Sequence, residues 1–220
     1  HGQFGSIYAT ATLCSSVLLI WVGKKIDDVN ILKFAFFVAI FLSFACFFFS
    51  QVSSILIFFI AILLMRFSGQ GMMSHTASTT ITRYFTKTRG RALSISWFGL
   101  SSAEFILPVL IVYLLTILDW KNLWLIFSII VLVVLPLTSF LLIKNLNLDS
   151  REINNNEETE EIEIKQWKRI EVIKDYRFYI VCLNMLAMPW IFTGYAVFQS
   201  FIQTSKGWGP YVIAQSFMSY

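Results

Sequence analysis

Arg66 and Glu104 are charged residues inside long apolar runs, where charges are rare. Arg66 lies twelve residues into the run 54–82, and Glu104 lies twelve residues into the run 92–118. At 1.5 Å per residue, each is about 18 Å from the start of its run. If the runs cross a membrane, a charge at that depth costs roughly 2.5–3.5 kcal/mol and normally has a partner. The spacing predicts that the two side chains meet, either as a permanent ion pair between helices or as groups that contact a transported anion or a coupling proton.

The composition identifies the apolar runs as membrane-spanning segments. The chain has 220 residues, of which 57% are hydrophobic and 14% charged, whereas a soluble domain carries roughly 25% charged residues. A membrane-spanning helix needs about 20 apolar residues, and it pairs every backbone donor and acceptor within its own segment. We therefore predict an all-α polytopic transmembrane helix bundle. Its six complete spans lie at 4–22, 34–50, 54–82, 92–118, 123–143 and 178–203, and a seventh, truncated span begins near Tyr211.

Lysine and arginine are distributed unevenly between the connections. Of the 17 basic residues, all except Arg66, Lys121 and Lys206 lie in the first, third and fifth connections. Cytoplasmic loops of membrane proteins are enriched in basic residues, so the odd-numbered connections are predicted to face the cytoplasm. This asymmetry explains the net charge of +4 without nucleic acid as a partner.

The fifth connection, 144–177, is long, polar and rich in Asn and Glu. After an acidic run it places Trp167, Ile170 and Ile173 at three-residue spacing, which predicts a short amphipathic helix on the cytoplasmic membrane surface. A wholly disordered loop is the alternative. The prediction divides the chain into an N-terminal membrane bundle over residues 1–143, a cytoplasmic linker over 144–177 and the start of a second bundle over 178–220.

Other polar residues at membrane depth are candidates for lining a cavity or for packing. Asn184 and Tyr195 are eleven residues apart, close to three helical turns, so they share a face that suits a cavity wall. His75 follows Arg66 by nine residues, which in a regular α-helix places the two on opposite faces. We expect a hydrogen-bonded packing role for His75, with a proton relay as the alternative. The sequence has no Cys/His metal cluster and no paired carboxylates at a span end, so we expect neither an enzyme nor a cofactor.

Three short motifs carry a family resemblance. Gly23-Lys24-Lys25-Ile26-Asp27 forms a short connection with Asp four residues after Gly, Arg66 begins the run Arg-Phe-Ser-Gly-Gln-Gly, and Arg89-Gly-Arg-Ala stands where the fourth span begins. Together they resemble motifs of the major facilitator superfamily. The run that begins at Arg66 and the acidic residue ahead of Pro108 are most similar to monocarboxylate and oxalate/formate-type carriers.

The resemblance implies twelve helices in two related halves, with a central site and alternating access by rocking. The chain would cover the second helix to the start of the eighth, so we expect it to be part of a longer protein. Carried onto this sequence, the resemblance makes Arg66 a candidate substrate or coupling residue. It also assigns to a cytoplasmic gate the residues Gly23, Asp27, Arg89 and Arg91.

These observations predict a secondary transporter in the plasma (inner) membrane that moves a small, monocarboxylate-like organic anion with protons. Arg66 favours an anionic group through charge pairing, and Glu104 is the expected proton carrier. The expected partners are the lipid bilayer, the small-molecule substrate and protons. Two alternatives remain: a drug or neutral-solute exporter in which Arg66 and Glu104 are structural only, and a non-transporting membrane receptor of the same fold.

Overall fold

The computed structural model describes residues 2–26, 28–85, 88–143, 169–209, 211–212 and 215. Every regular element within these ranges is helical. In chain order they are α1 (Gly2–Val22), a 3₁₀ turn (Gly23–Ile26), α2 (Ile31–Ser50), α3 (Ile55–Met65), a π-helical segment (Arg66–Met73), α4 (Ser74–Tyr84), α5 (Arg89–Leu115), α6 (Trp120–Ile143), α7 (Arg169–Lys174) and α8 (Tyr176–Lys206).

Six helical stretches are long and apolar enough to cross a membrane, which confirms the predicted all-α membrane bundle. They are Gln3–Ile26, Ile31–Ser50, Ile55–Tyr84, Arg89–Leu115, Trp120–Leu141 and Tyr176–Gln199. The third stretch joins α3, the π-helical segment and α4 into one element, which we call the α3–α4 rod. Of the predicted seventh span, only residues 211–212 and 215 are described, and they are helical.

The described residues form two compact units, one built from α1 to α6 and the other from α7 and α8. The second unit contains the end of the predicted linker. There α7 carries Ile170 and Ile173 with exposed side chains. Trp167 and the acidic run lie outside the described residues.

Polar caps explain where several helices begin. The Asn30 side chain accepts the Leu32 N–H at 2.9 Å at the start of α2, and the Asp175 carboxylate accepts the Arg177 N–H at 2.9 Å at the start of α8. Such caps satisfy backbone donors that have no partner in the first turn. At the other end of α8, Gly207 has φ 65°, a left-handed conformation that glycine adopts without a steric penalty.

The most extensive helix pair in the first unit is α2 against α6. A reciprocal pair of hydrogen bonds joins them, because the Ser43 hydroxyl donates to the Ser128 carbonyl at 2.9 Å and the Ser128 hydroxyl donates to the Ser43 carbonyl at 2.9 Å. Both serines are buried. Near the end of α2, Phe49 packs against Trp124 with ring centroids 4.6 Å apart. Small side chains let the two backbones approach closely.

A second contact region joins α1, α2 and the π-helical segment. Its buried centre consists of Ile26, Phe34, Val38, Phe67 and Met72. By contrast, α5 has no buried residue and only slight contact with α4 and α6. The close packing of the first unit is therefore formed by α1, α2, α6 and the α3–α4 rod.

We predict that Ser43→Ala weakens the α2–α6 pair. The substitution removes a buried interhelical donor, and such bonds in membrane proteins average about 0.6 kcal/mol and reach about 1.7 kcal/mol. We expect the free energy of unfolding to fall by about 1 kcal/mol, as measured by detergent-induced unfolding of the intact protein. Ser94→Ala is the matched control, since Ser94 donates to Gly90 of its own helix. Equal unfolding midpoints for the two variants would contradict the assignment.

Candidate functional site

Arg66 is the first residue of the π-helical segment in the middle of the α3–α4 rod. π-helical turns are rare and occur frequently at functional sites. Here the segment includes Gly69 and Gly71. A Cβ atom at Gly71 would lie 3.4 Å from the Arg66 carbonyl oxygen and 3.4 Å from Leu19 of α1. Glycine at this position therefore allows α1 to pack closely against the rod beside Arg66.

The Arg66 side chain reaches across to α1. Its Nε donates to the Thr12 hydroxyl oxygen at 3.2 Å, and its guanidinium carbon lies 4.7 Å from the centre of the Tyr8 ring. The Thr12 hydroxyl donates in turn to the Tyr8 carbonyl at 2.7 Å. All three side chains are half-buried. An aromatic face and a hydroxyl oxygen thus stabilise the cation, but neither carries a negative charge.

The predicted meeting of Arg66 and Glu104 is wrong in this structure. Among the described residues Arg66 contacts Thr12 and Tyr8 and forms no ion pair with Glu104. The physical reason is that α5, which carries Glu104, contacts α4 and α6 and does not pack closely on the π-helical segment. Two side chains at equal depth on neighbouring helices meet only if each lies on the face that its helix turns toward the other.

The terminal nitrogens of the Arg66 guanidinium make no hydrogen bond with the described part of the chain. They are also not sealed off, since the described residues include no buried side-chain nitrogen or oxygen that lacks a hydrogen-bond partner. Neither nitrogen is therefore fully buried. The two terminal nitrogens of a guanidinium are donors that can bind a carboxylate through two parallel hydrogen bonds.

His75 lies on the same side of the rod as Arg66, and the expectation of opposite faces is wrong. Its Nε2 lies 3.0 Å from the Gly23 carbonyl, and because a carbonyl only accepts, Nε2 carries the hydrogen. Arg66 thus contacts α1, and His75 contacts the 3₁₀ turn that directly follows α1. A π-helix bonds residue i to i+5, so each turn holds more residues than the 3.6 of an α-helix and each residue adds less rotation. Over the eight residues Arg66–Met73 the rotation therefore falls behind that of an α-helix, which explains why His75 lies on the same side as Arg66.

Three contacts show that α1 and the rod run parallel. Phe4 packs on Phe58 with ring centroids 6.0 Å apart, Thr12 contacts Arg66, and Gly23 contacts His75. The residue numbers rise together along both helices. Arg66 therefore lies between an aromatic contact at one end of the pair and a histidine hydrogen bond at the other, and both contacts hold α1 beside it.

The residues assigned to the cytoplasmic gate are only partly described. Gly23 is buried, and a Cβ there would lie 3.4 Å from Nε2 of His75. Arg89 and Arg91 are exposed in the first turn of α5, and Asp27 lies outside the described residues. A further bond joins the same region, because Arg83 donates to the Ile26 carbonyl at 3.3 Å.

Asn184 and Tyr195 belong to α8 in the second unit. This helix is continuous through Pro189, so the eleven-residue spacing still places them on one face. The Asn184 amide donates to the Ile180 carbonyl of its own helix at 2.9 Å, and its side chain is exposed, whereas Tyr195 is half-buried.

Tyr8 and Thr12 are not among the residues predicted from the sequence. The available signal was their spacing, since two polar residues four apart in an apolar span lie on one face of the helix. No group of three His, Cys, Asp or Glu residues in the described ranges is arranged to hold a metal ion.

Residues 1–220 match the family described as Major Facilitator Superfamily. No curated protein and no solved structure matches the chain.

We predict that Gly71→Leu disrupts the packing of α1 beside Arg66. Even a Cβ contacts Leu19 and the Arg66 carbonyl oxygen at 3.4 Å, so the longer side chain has no room without separating the helices. Overpacking of this kind typically costs about 1–3 kcal/mol. The measurement is the yield and thermal stability of the intact protein in detergent. Gly99→Leu on α5 is the control, because nothing lies within 4 Å of a Cβ there; a Gly71 variant as stable as the Gly99 variant would refute the prediction.

Proposed function

Because the chain belongs to the Major Facilitator Superfamily, and is thus a membrane transporter, we propose that it carries a small organic anion of the monocarboxylate type together with protons. The observation that carries this proposal is the set of contacts that Arg66 makes. Its guanidinium lies in the middle of a membrane span, has a hydroxyl and an aromatic ring for neighbours, and has no acidic partner among the described residues.

A carboxylate substrate would supply the missing negative charge. Arginine remains charged at all physiological pH values, and a buried charge without a counter-ion is strongly unfavourable. Bidentate hydrogen bonds between a guanidinium and a carboxylate are short, charge-assisted and geometrically specific. Binding of the substrate would therefore supply the counter-ion that the described residues do not provide.

Glu104 is the proposed proton carrier. It is the sole carboxylate in the six spans, it is half-buried, and it lies on the loosely packed helix α5. Protonation removes the charge that makes a carboxylate costly in an apolar environment. Glu104 makes no ion pair with Arg66 in the described structure, so a change in its charge would not require a bond to the proposed anion site to break.

The same proposal covers the remaining parts of the transporter. We propose that a cytoplasmic linker over residues 144–177 joins a bundle over 1–143 to a second bundle that starts at 178, and that the bundles rock to give alternating access. In the second bundle Asn184 and Tyr195 would line the cavity. The cytoplasmic gate would consist of Gly23, Asp27, Arg89 and Arg91, and the plasma (inner) membrane is the proposed location.

A drug or neutral-solute exporter, in which Arg66 and Glu104 are structural only, is the main alternative. The contacts of Arg66 with Thr12 and Tyr8 of α1 are compatible with that role, whereas the absence of an acidic partner among the described residues favours the anion carrier. A non-transporting receptor of the same fold has no observation in its favour.

We predict that Arg66→Ala lowers carboxylate uptake by roughly 10- to 100-fold, because hydrogen bonds to a charged group contribute about 1.5–3 kcal/mol. The measurement is uptake of radiolabelled small monocarboxylates by proteoliposomes that contain the intact protein. Lys121→Ala is the control, since Lys121 stacks on Trp120 at the start of α6. Uptake by Arg66→Ala at the wild-type rate, with equal amounts inserted, would refute the anion site.

We predict that Glu104→Gln separates exchange from proton coupling. The amide cannot carry a proton between the two sides, so an inward proton gradient should no longer accelerate uptake. Carboxylate exchange at equal pH on both sides should persist within a few-fold of wild type. Asp119→Asn in the connection before α6 controls for loss of an acidic residue elsewhere. If the proton gradient still stimulates Glu104→Gln uptake, another group is the proton carrier.

A further inference from the structure

The Thr12 hydroxyl has a defined orientation. Its hydrogen is donated to the Tyr8 carbonyl at 2.7 Å, and a hydroxyl group has only one hydrogen to donate. The oxygen therefore faces other donors as an acceptor, and it accepts from Nε of Arg66 at 3.2 Å. The result is a directed chain of hydrogen bonds from the guanidinium to the backbone of α1. In such a chain each bond polarises the next.

The Tyr8 ring holds the guanidinium from a second direction. The ring centre lies 4.7 Å from the guanidinium carbon, a distance at which an aromatic face attracts a cation. The ring is itself supported, because it stacks on Phe4 with centroids 6.2 Å apart, and Phe4 packs on Phe58 of α3. Thr12 accepts a hydrogen bond from Nε at one edge of the guanidinium, and the Tyr8 ring lies near its central carbon.

These two contacts restrict how an anion can bind. A guanidinium offers a carboxylate either its side, through Nε and one terminal nitrogen, or its end, through both terminal nitrogens. Thr12 already occupies Nε, so the end is the available fork. The terminal nitrogens are not fully buried and make no hydrogen bond with the described residues.

From this geometry we propose that Thr12 and Tyr8 are positioning and specificity-determining residues that present the end of the Arg66 guanidinium to a planar carboxylate. The inference rests on the anion-carrier function proposed above and names the ligand chemistry of its site. An end-on fork satisfies both oxygens of a carboxylate. The third oxygen of a sulfonate receives no donor from Thr12, whose hydrogen is already bonded to the backbone. An oxygen left without a donor in a desolvated site weakens binding.

The test compares a carboxylate with its sulfonate analogue of the same carbon skeleton, as substrates of the intact protein in proteoliposomes. Thr12→Val removes the acceptor at Nε, so the guanidinium can rotate and offer its side. We expect KM for the carboxylate to rise about tenfold, the maximal rate to stay within about twofold, and the preference for carboxylate over sulfonate to fall. Thr12→Ser restores the hydroxyl and should restore KM and selectivity.

Thr10→Val is the matched control. Thr10 lies two residues before Thr12 on α1, and its hydroxyl donates to carbonyls of its own helix, those of Ser6 and Ile7. A second pair, Tyr8→Leu and Tyr8→Phe, tests the aromatic face independently of Thr12. Leucine should raise KM, whereas phenylalanine keeps the ring and should leave KM near the wild-type value.

The outcomes separate the two proposals. If Thr12→Val and Tyr8→Leu both match Thr10→Val in KM and selectivity while Arg66→Ala strongly lowers uptake as predicted, the positioning role is overturned and the anion carrier stands. If the wild-type protein carries no carboxylate, the anion-carrier function fails and the positioning role fails with it. A rise in KM that serine and phenylalanine reverse supports the positioning role, since damaged packing would lower the amount of inserted protein instead.

Discussion

Arginine stays charged at any pH that a cell meets, so a guanidinium halfway along a membrane-spanning helix needs polar neighbours that lipid does not provide. In this bundle the neighbours of Arg66 come from α1, as the Thr12 hydroxyl and the Tyr8 ring. Both stabilise a cation without neutralising it. The protein therefore orients the guanidinium through Nε and leaves its two terminal nitrogens without a hydrogen bond to the described residues, and a group fixed in advance in this way would lose little freedom on binding the proposed anion.

The packing of the first unit keeps α1 in the position that this arrangement requires. Phe58 contacts Phe4 and His75 contacts Gly23, and these two contacts lie on either side of Arg66 along the rod. Glycine at position 71 lets the two helices approach. On the other side, α2 is joined to α6 through buried serines. The helix that carries Glu104 has no buried residue and packs little on this group, and Glu104 is not paired with Arg66 in the described structure.

The apolar runs were sufficient to predict the six spans, because hydrophobic length is a property of each segment alone. The arrangement around Arg66 depends on properties of pairs, and there the sequence was less informative. Glu104 was predicted to meet Arg66 from equal depth, but depth does not determine which helices face each other. His75 was predicted to lie opposite Arg66 from α-helical periodicity, but the π-helical segment between them changes the rotation. Tyr8 and Thr12 are neighbours of Arg66 because α1 packs against the rod, and the apolar pattern of the sequence does not reveal that pairing.

The central proposal is that Arg66, which has no acidic partner among the described residues, receives its counter-ion from the substrate. The most direct measurement is an experimental structure of the intact protein in lipid nanodiscs, determined with and without a small monocarboxylate. We expect the Nε–Thr12 bond in both structures and, with substrate present, carboxylate density within hydrogen-bond distance of both terminal nitrogens of Arg66. An Asp or Glu side chain paired with Arg66 in both structures, and no substrate density there, would contradict the account.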